Sequence, residues 1–307
     1  MTTKKTGRRI LLTGATGFVG RAAIAPLIAS GAELHLVSRR EPETLDRAIW
    51  HQADLLRSDE VRSLLFDIRP DTLLHLAWCV EHGRFWMDPA NLDWVAATAN
   101  LARAAAEAGT SRFVGAGTCY EYDWPADENC SETHTQLAAH TLYDTCKDAT
   151  RRMLEVFCAG NGMTFAWARL FFLYGQGEDP RRLVASVARA IVRGETAAIS
   201  RGLSVRDFMD VRDAGAALSA LSLSDLQGAI NIASGKGERI SELARKIGEV
   251  AGRADRVRVG ALPDRPGEPP RIVADTRRMR EELGFVPAIS LEQGLRDVLD
   301  FWRRAES

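Results

Sequence analysis

Tyr143 and Lys147 stand four residues apart in a stretch of helical periodicity, so both side chains leave one face. A phenol with an ordinary pKa of about 10 exchanges protons poorly at neutral pH unless a nearby cation favours its anion. A lysine one helical turn away can supply that charge. The pair alone also occurs by chance, as a surface lysine beside a half-buried tyrosine. A second chemical feature lies upstream. Thr13-Gly-Ala-Thr-Gly-Phe-Val-Gly20 follows the apolar run Arg9-Ile-Leu-Leu-Thr13 and precedes Arg21-Ala-Ala-Ile-Ala25, which reads as the start of a helix. Strand, glycine turn and helix together make a phosphate cradle. Gly14 allows the tight turn, Gly17 lets backbone approach a pyrophosphate, and Gly20 lets the helix pack close to the strand. The spacing is G-x-x-G-x-x-G rather than G-x-G-x-x-G, so its place between a strand and a helix is what points to a nucleotide.

These residues need a scaffold, and the periodicity supplies one. Strands are expected over 32–38, 49–52, 71–77, 112–115 and 164–171, alternating with helices over 59–68, 91–108 and 142–159. Gly109 stops the second of these helices. Such alternation means an α/β fold, a doubly wound parallel sheet of Rossmann type. After Tyr174 the pattern loosens. Helices are expected over 180–193, 211–221, 276–283 and 291–302, with one more beginning at Ser241 as N-cap. A short strand is expected over 229–232 and a proline-rich loop over 263–270. This reads as a dinucleotide-binding unit, 1–172, to which part of 203–235 returns, and a smaller mixed α/β substrate-binding unit, 173–307.

Composition excludes several classes of function. The chain of 307 residues has a formal charge of −1 and is 46% apolar, which suits neither a disordered chain nor a nucleic-acid platform. No apolar run is long enough to span a membrane, and no secretory leader is visible. The five cysteines contain no C-x-x-C pair, which favours reduced thiols and a cytoplasmic location. The histidines show no metal-ligand spacing, and no metal is expected.

Taken together, the motifs resemble the extended short-chain dehydrogenase/reductases, the family of nucleotide-sugar epimerases, dehydratases and ketoreductases. The resemblance runs nearly end to end. After the glycine turn it rests on His75-Leu-Ala77, Gly117-Thr-Cys-Tyr-Glu-Tyr122, Tyr143-Asp-Thr-Cys-Lys147 and Arg169-Leu-Phe-Phe-Leu-Tyr-Gly175. It continues through Arg206-Asp-Phe-Met-Asp-Val-Arg-Asp213, Asn231-Ile-Ala-Ser-Gly235, Arg265-Pro-Gly-Glu-Pro269 and Leu283-Gly-Phe285. The resemblance implies that Tyr143 is the proton donor or acceptor and that Lys147 is its electrostatic partner and a ribose contact. Thr118 would hydrogen-bond the reacting oxygen. Gly14, Thr16, Gly17, Phe18, Val19 and Gly20 would hold the cofactor, with Asp54 and Leu55 at the adenine and Leu76 and Ala77 lining its channel. Arg206 would reach a substrate diphosphate, where a guanidinium fork suits phosphate. Cys119, Tyr120 and Arg271 complete the substrate set.

Departures from the family pattern narrow the reaction. Cys119 and Tyr120 stand where 4,6-dehydratases carry an acidic pair, which argues against dehydration. Asp144 replaces a glycine, Cys146 a serine, and Phe172 an asparagine near the substrate diphosphate. The second strand ends in Ser38-Arg39-Arg40. An acidic residue there would bond both ribose hydroxyls, whereas Arg39 and Arg40 suit a 2′-phosphate and point to NADP before NAD. The expected activity is NADPH-dependent reduction of the keto group of a nucleotide-activated 4-keto-6-deoxy sugar. The same Tyr, Lys and Thr would serve a nucleotide-sugar epimerase with bound NAD(P); a combined 3,5-epimerase/4-reductase is a further variant that would need a carbon acid–base, for which Cys119 is a candidate. A non-catalytic nucleotide-sensing regulator is an alternative of another class, and the presence of both Tyr143 and Lys147 argues against it. The family expectation for assembly is a homodimer through helices 91–108 and 142–159, with no nucleic-acid or membrane partner.

Overall fold

In the computed structural model, which describes residues 7–42 and 47–307, strands and helices alternate through the first half of the chain. In order come β1 (Arg9–Thr13), α1 (Phe18–Ala29), β2 (Glu33–Ser38), β3 (Ile49–Gln52), α2 (Ser58–Ile68) and β4 (Thr72–His75). There follow α3 (Ala90–Glu107), β5 (Arg112–Thr118), α4 (Leu142–Gly160) and β6 (Thr164–Leu170). The second half adds β7 (Phe172–Tyr174), α5 (Leu183–Val192), β8 (Ala197–Ile199), β9 (Val205–Asp210), α6 (Val211–Leu223) and β10 (Gly228–Ile232). It ends with β11 (Gly237–Arg239), α7 (Ile240–Val250), β12 (Val257–Val259), β13 (Arg271–Ile272) and α8 (Leu291–Glu306).

Seven strands form one parallel sheet in the order β3-β2-β1-β4-β5-β6-β10. Parallel neighbours need crossovers, and the crossover helices cover both faces. Successive β1 side chains show the result. Ile10 and Leu12 face the α1 and α6 side, Leu11 faces the α2, α3 and α4 side, and all three are fully buried. This is why the strand reads as an unbroken apolar run. The strand order reverses at β1 and β4, so the crevice for a ligand opens at the carboxyl ends of those strands. Helix α6 and strand β10 return to this sheet, and α6 lies so close to α1 that a Cβ on Gly215 would sit 2.3 Å from Ala22 O.

The rest of the second half builds over that edge. β9 is central to a small sheet, with β11 and β13 as neighbours and β7 also pairing with it. β8 pairs with β12, and α5, α7 and α8 share an apolar core around Leu243, Ile247, Leu295 and Leu299. Among the described residues, no helix is long and apolar enough to cross a membrane, and no cluster of side chains is arranged to hold a metal.

Several local expectations need correction. Strands β7, β8, β9, β11, β12 and β13 leave no legible period-two signal, being two to six residues long. The helix expected from Ser241 starts at Ile240 with Arg239 as its N-cap, because β11 hands straight into it and Ile240 N donates to Ser204 O. The helix expected over 180–193 begins at Leu183, after a turn in which Asp179 Oδ1 accepts from Arg181 N. Over 276–283 the regular part is a π-turn at Arg278–Glu282.

The glycine turn sets a steric test of the fold. A Cβ at Gly20 would lie 2.1 Å from Gly14 O, whereas one at Gly17 would lie 3.2 Å from the same atom. Gly20→Ala is therefore expected to destabilise the protein by about 1–3 kcal/mol, as overpacking does. Gly17→Ala should stay within about 1 kcal/mol of the parent, as expected for an exposed N-cap position. Urea midpoints of the two variants check the contrast, and equal midpoints would refute it.

Candidate active site

The turn after β1 is held by its own backbone, Gly17 N donating to Gly14 O at 2.9 Å. Gly14 has φ of 73°, and a Cβ there would meet Ala77 N at 2.8 Å. Helix α1 opens with Gly17 as N-cap, without a side-chain cap and without an acidic residue in its first turn. Its leading amides thus have no side-chain acceptor, which is the arrangement an anion satisfies. Thr16 and Gly17 are exposed at this end, with Phe18 and Val19 half-buried against the core. The other expected cofactor residues end neighbouring strands. Arg39 and Arg40 follow β2 and are exposed, Asp54 and Leu55 follow β3, and Leu76 and Ala77 follow β4. Thr13 joins β1 to β4: its Oγ1 accepts from Leu76 N and Ala77 N, both at 3.2 Å, and lies 2.7 Å from His75 Nδ1. The other His75 nitrogen is 2.9 Å from Thr98 Oγ1. Burial, reinforced by the nearby Lys147 charge, lowers His75 to about 3, so the imidazole is neutral.

Thr118, Tyr143 and Lys147 come together where β5 ends against the first turns of α4. Thr118 is the last residue of β5, and its Oγ1 accepts from Tyr120 N. Helix α4 is started by Thr141, whose hydroxyl donates to Asp144 Oδ1, while Asp144 Oδ2 accepts from Thr141 N at 2.9 Å and His140 N at 2.7 Å. Asp144, a departure from the family pattern, thus closes a capping box that fixes the start of the helix carrying Tyr143. Tyr143 N in turn donates to Trp86 O at 3.0 Å, tying the loop after β4 to this helix.

The electrostatics of the pair differ from the expectation. Burial pushes the Tyr143 phenol well above its usual range, opposed by the Thr118 hydroxyl within hydrogen-bonding reach. Burial draws Lys147 down to about 7, and Glu121 opposes that fall. The Lys147 ammonium donates to Ala116 O at 2.9 Å and lies 5.9 Å from the centre of the Tyr143 ring. At neutral pH Tyr143 therefore holds its proton.

Behind these residues runs a buried network whose role the sequence motifs did not disclose. Glu121 Oε1 accepts from Thr118 N and from Trp167 Nε1, both at 2.9 Å, and Glu121 Oε2 accepts from Arg169 Nε at 2.8 Å. Arg169 Nη1 donates to Tyr122 Oη at 2.9 Å, and Tyr122 Oη donates to Asn231 Oδ1 at 2.7 Å. Asn231 Nδ2 continues to Cys130 O and Asp275 O. The signal available in the sequence was a glutamate three residues past Thr118 beside a strand carrying Trp and Arg two apart. Only the fold shows that they meet.

The expected substrate residues separate into two groups. Tyr120 lies in an aromatic wall beside Tyr143. Its ring centre is 4.7 Å from that of Trp86, 5.5 Å from Trp124 and 6.0 Å from Phe172. Arg206 is 2% exposed and places its guanidinium over the Phe172 ring, donating to Glu268 Oε1 at 3.1 Å and to Val205 O. Cys119 instead packs into an apolar cluster with Tyr122, Cys130, Phe171 and Ile272. Burial raises its thiol well above the usual range, which removes it as a ready acid–base group. The Arg271 guanidinium is engaged by Glu128 O and Asn129 Oδ1, clamping that segment to β13.

Known proteins share this architecture. A family model described as "NAD dependent epimerase/dehydratase family" matches residues 10–233. A GDP-6-deoxy-D-mannose reductase of Pseudomonas aeruginosa is 28% identical, the alignment covering 96% of this chain and 97% of that one. The structure of a Thermus thermophilus UDP-glucose 4-epimerase in complex with NAD superposes with a TM-score of 0.86 at 25% identity, covering 97% of this chain and 99% of that one. The structure of MoeE5 in complex with UDP-glucose and NAD gives a TM-score of 0.83 at 28% identity, covering 97% and 100%.

The network generates a stability prediction. Glu121→Gln leaves Arg169 buried without a counter-charge and is expected to destabilise the protein by about 3–5 kcal/mol. The double variant Glu121→Gln/Arg169→Met should recover part of that loss, since no charge is then stranded. Urea titration of the two variants and the parent tests this; a double variant no more stable than Glu121→Gln would contradict it.

Proposed function

The chain belongs to the NAD dependent epimerase/dehydratase family, and on that premise we propose that it reduces the keto group of a nucleotide-activated 4-keto-6-deoxy sugar with NADPH. The observation that carries the reading is the pair Arg39 and Arg40 at the end of β2, where an acidic residue would select NAD. Resemblance to a GDP-6-deoxy-D-mannose reductase over nearly the whole of both chains supports reduction of a nucleotide-linked sugar. The aromatic wall of Trp86, Tyr120, Trp124 and Phe172 suits the apolar face and methyl group of a deoxy sugar.

The turn and the uncapped α1 N-terminus fit a dinucleotide pyrophosphate. Gly14, Thr16, Gly17, Phe18, Val19 and Gly20 would hold it, with Arg39 and Arg40 at the 2′-phosphate, Asp54 and Leu55 at the adenine, and Leu76 and Ala77 along the channel. When bound, NADPH supplies the hydride that reduces the carbonyl. The chain's own part is binding, orientation and one proton. Tyr143, protonated at neutral pH, gives that proton to the carbonyl oxygen as the oxygen gains negative charge. Thr118 hydrogen-bonds the same oxygen, and Lys147 keeps positive charge beside the phenolate left behind. Arg206, already desolvated beside Glu268, is the cation offered to the substrate diphosphate. A homodimer through α3 and α4 is supported by the exposed Leu92, Met153 and Val156 on those helices. The second reading is a nucleotide-sugar epimerase with bound NAD, favoured by the NAD named in the two solved relatives.

Two measurements test the proposal. Tyr143→Phe is expected to retain cofactor binding and lose roughly two to four orders of magnitude in turnover of the keto-sugar nucleotide, the usual range for a lost general acid. Near-parental turnover would remove Tyr143 from the mechanism. A guanidinium contact to a 2′-phosphate is worth about 1.5–3 kcal/mol, which gives roughly a ten- to hundredfold preference for NADPH over NADH in kcat/KM. Alanine at both Arg39 and Arg40 should erase most of that preference and leave NADH kinetics nearly unchanged. Equal parental values for the two cofactors, without net NADPH consumption, would move the assignment to the epimerase.

A further inference from the structure

We propose that Trp78 is a positioning residue for Lys147, its indole face holding the ammonium charged and in place through a cation–π contact. The Lys147 Nζ lies 3.9 Å from the centre of the Trp78 ring, well inside the distance of about 6 Å within which such a pair attracts. Lys147 is 4% exposed and has three N–H donors, of which one is met by Ala116 O. Among the groups facing the ammonium from each surrounding element, the ring is the one in direct contact besides Ala116 O. From β4, His75 is neutral, and the lysine charge itself opposes its protonation. From the turn after β5, Glu121 attracts the ammonium, but its oxygens are taken by Arg169, Trp167 and Thr118 N. From β6, the Trp167 ring centre is 6.0 Å away, and from α4 the Tyr143 ring centre is 5.9 Å away.

Trp78 is built to stay where it is. Its Nε1 donates to Asn91 Oδ1 at 2.8 Å, and Asn91, itself 1% exposed, donates through Nδ2 to Phe85 O and Asp88 O. Trp94 stacks beside the ring at 6.3 Å between centres. The residue directly after Ala77 thus couples the loop over the site to the charge state of Lys147. Burial already draws Lys147 down to about 7, so near neutrality its charge is sensitive to any lost support. A desolvated cation–π contact supports a shift of about one pH unit or more, roughly a tenfold change in the ratio of charged to neutral lysine. The consequence for turnover rests on the reading of Lys147 as the partner of Tyr143 in proton transfer; the contact and its titration do not.

The test uses the full chain, without substrate. It contains five lysines, so a lysine-labelled carbon spectrum is simple, and the Lys147 signal is identified by its loss in Lys147→Arg. Titration from about pH 5 to about pH 11 should give a Lys147 midpoint that falls by about one unit or more in Trp78→Leu. Trp78→Phe, which keeps a weaker ring face, should fall between the two. Biosynthetic fluorotryptophans supply a second measurement that does not depend on Trp78→Leu folding. They take electron density from the ring without changing its shape, and the midpoint should drop progressively with fluorine number. A midpoint that moves with neither substitution nor fluorination overturns the proposal. If the midpoint moves while the pH profile of NADPH-dependent keto-sugar turnover does not, the contact stands and the functional reading of Lys147 fails.

Discussion

Glu121 and Arg169 meet at 2.8 Å with neither side chain more than 2% exposed, so each charge is tolerable only because the other is there. That ion pair fixes the backbone at Thr118, where β5 stops and the site begins. It also joins β5 to β6 through Trp167, and through Tyr122 and Asn231 it reaches β10 and the segments at Cys130 and Asp275. Most of the groups that position the reacting face are therefore linked to one pair of buried charges. A network satisfied at every member specifies one arrangement, whereas an apolar core of the same volume would tolerate several.

Burial acts on the titratable groups of the site in one direction, toward their uncharged forms. Tyr143 keeps its proton, His75 is neutral, and Lys147 sits near its midpoint at about 7. The lysine is thus the group whose charge is most easily changed near neutrality. Its supports are a backbone carbonyl, an aromatic face and a carboxylate already shared with an arginine. This differs from the simple picture of a lysine pressing its charge on a tyrosine one turn away. The helix places both residues on one face, but the surroundings decide where the ammonium goes.

The second half of the chain is organised by polar anchors as much as by its apolar core. Asp207 in β9 is fully buried and accepts from Ser234 N, Ser234 Oγ, Gly235 N and Ala274 N, which binds two segments to one strand. Asp210 caps α6, and Asp213 accepts from Ala288 N and Ile289 N, securing the approach to α8. The same short stretch carries Arg206 toward the aromatic wall. Strand β9 is thereby both the centre of the small sheet and the mount for a cation beside that wall.

The first half was legible in the sequence because its central strands, β1 and β4, are buried on both faces and read as apolar runs. Its helices repeat with their own period, and the glycines of the turn are demanded by a positive φ at Gly14 and a close approach at Gly20. Those constraints act between near neighbours, so residue order records them. Strand β9 was not legible as a strand, because burial of its charged Arg206 and Asp207 depends on Glu268, Ser234 and Ala274 arriving from far along the chain to satisfy them. The helical spacing of Tyr143 and Lys147 was determined by sequence alone. Whether the lysine faces a phenol, a carboxylate or an indole depends on strands and loops remote in the chain, and that was decided by tertiary packing, which sets how strongly each charge is desolvated.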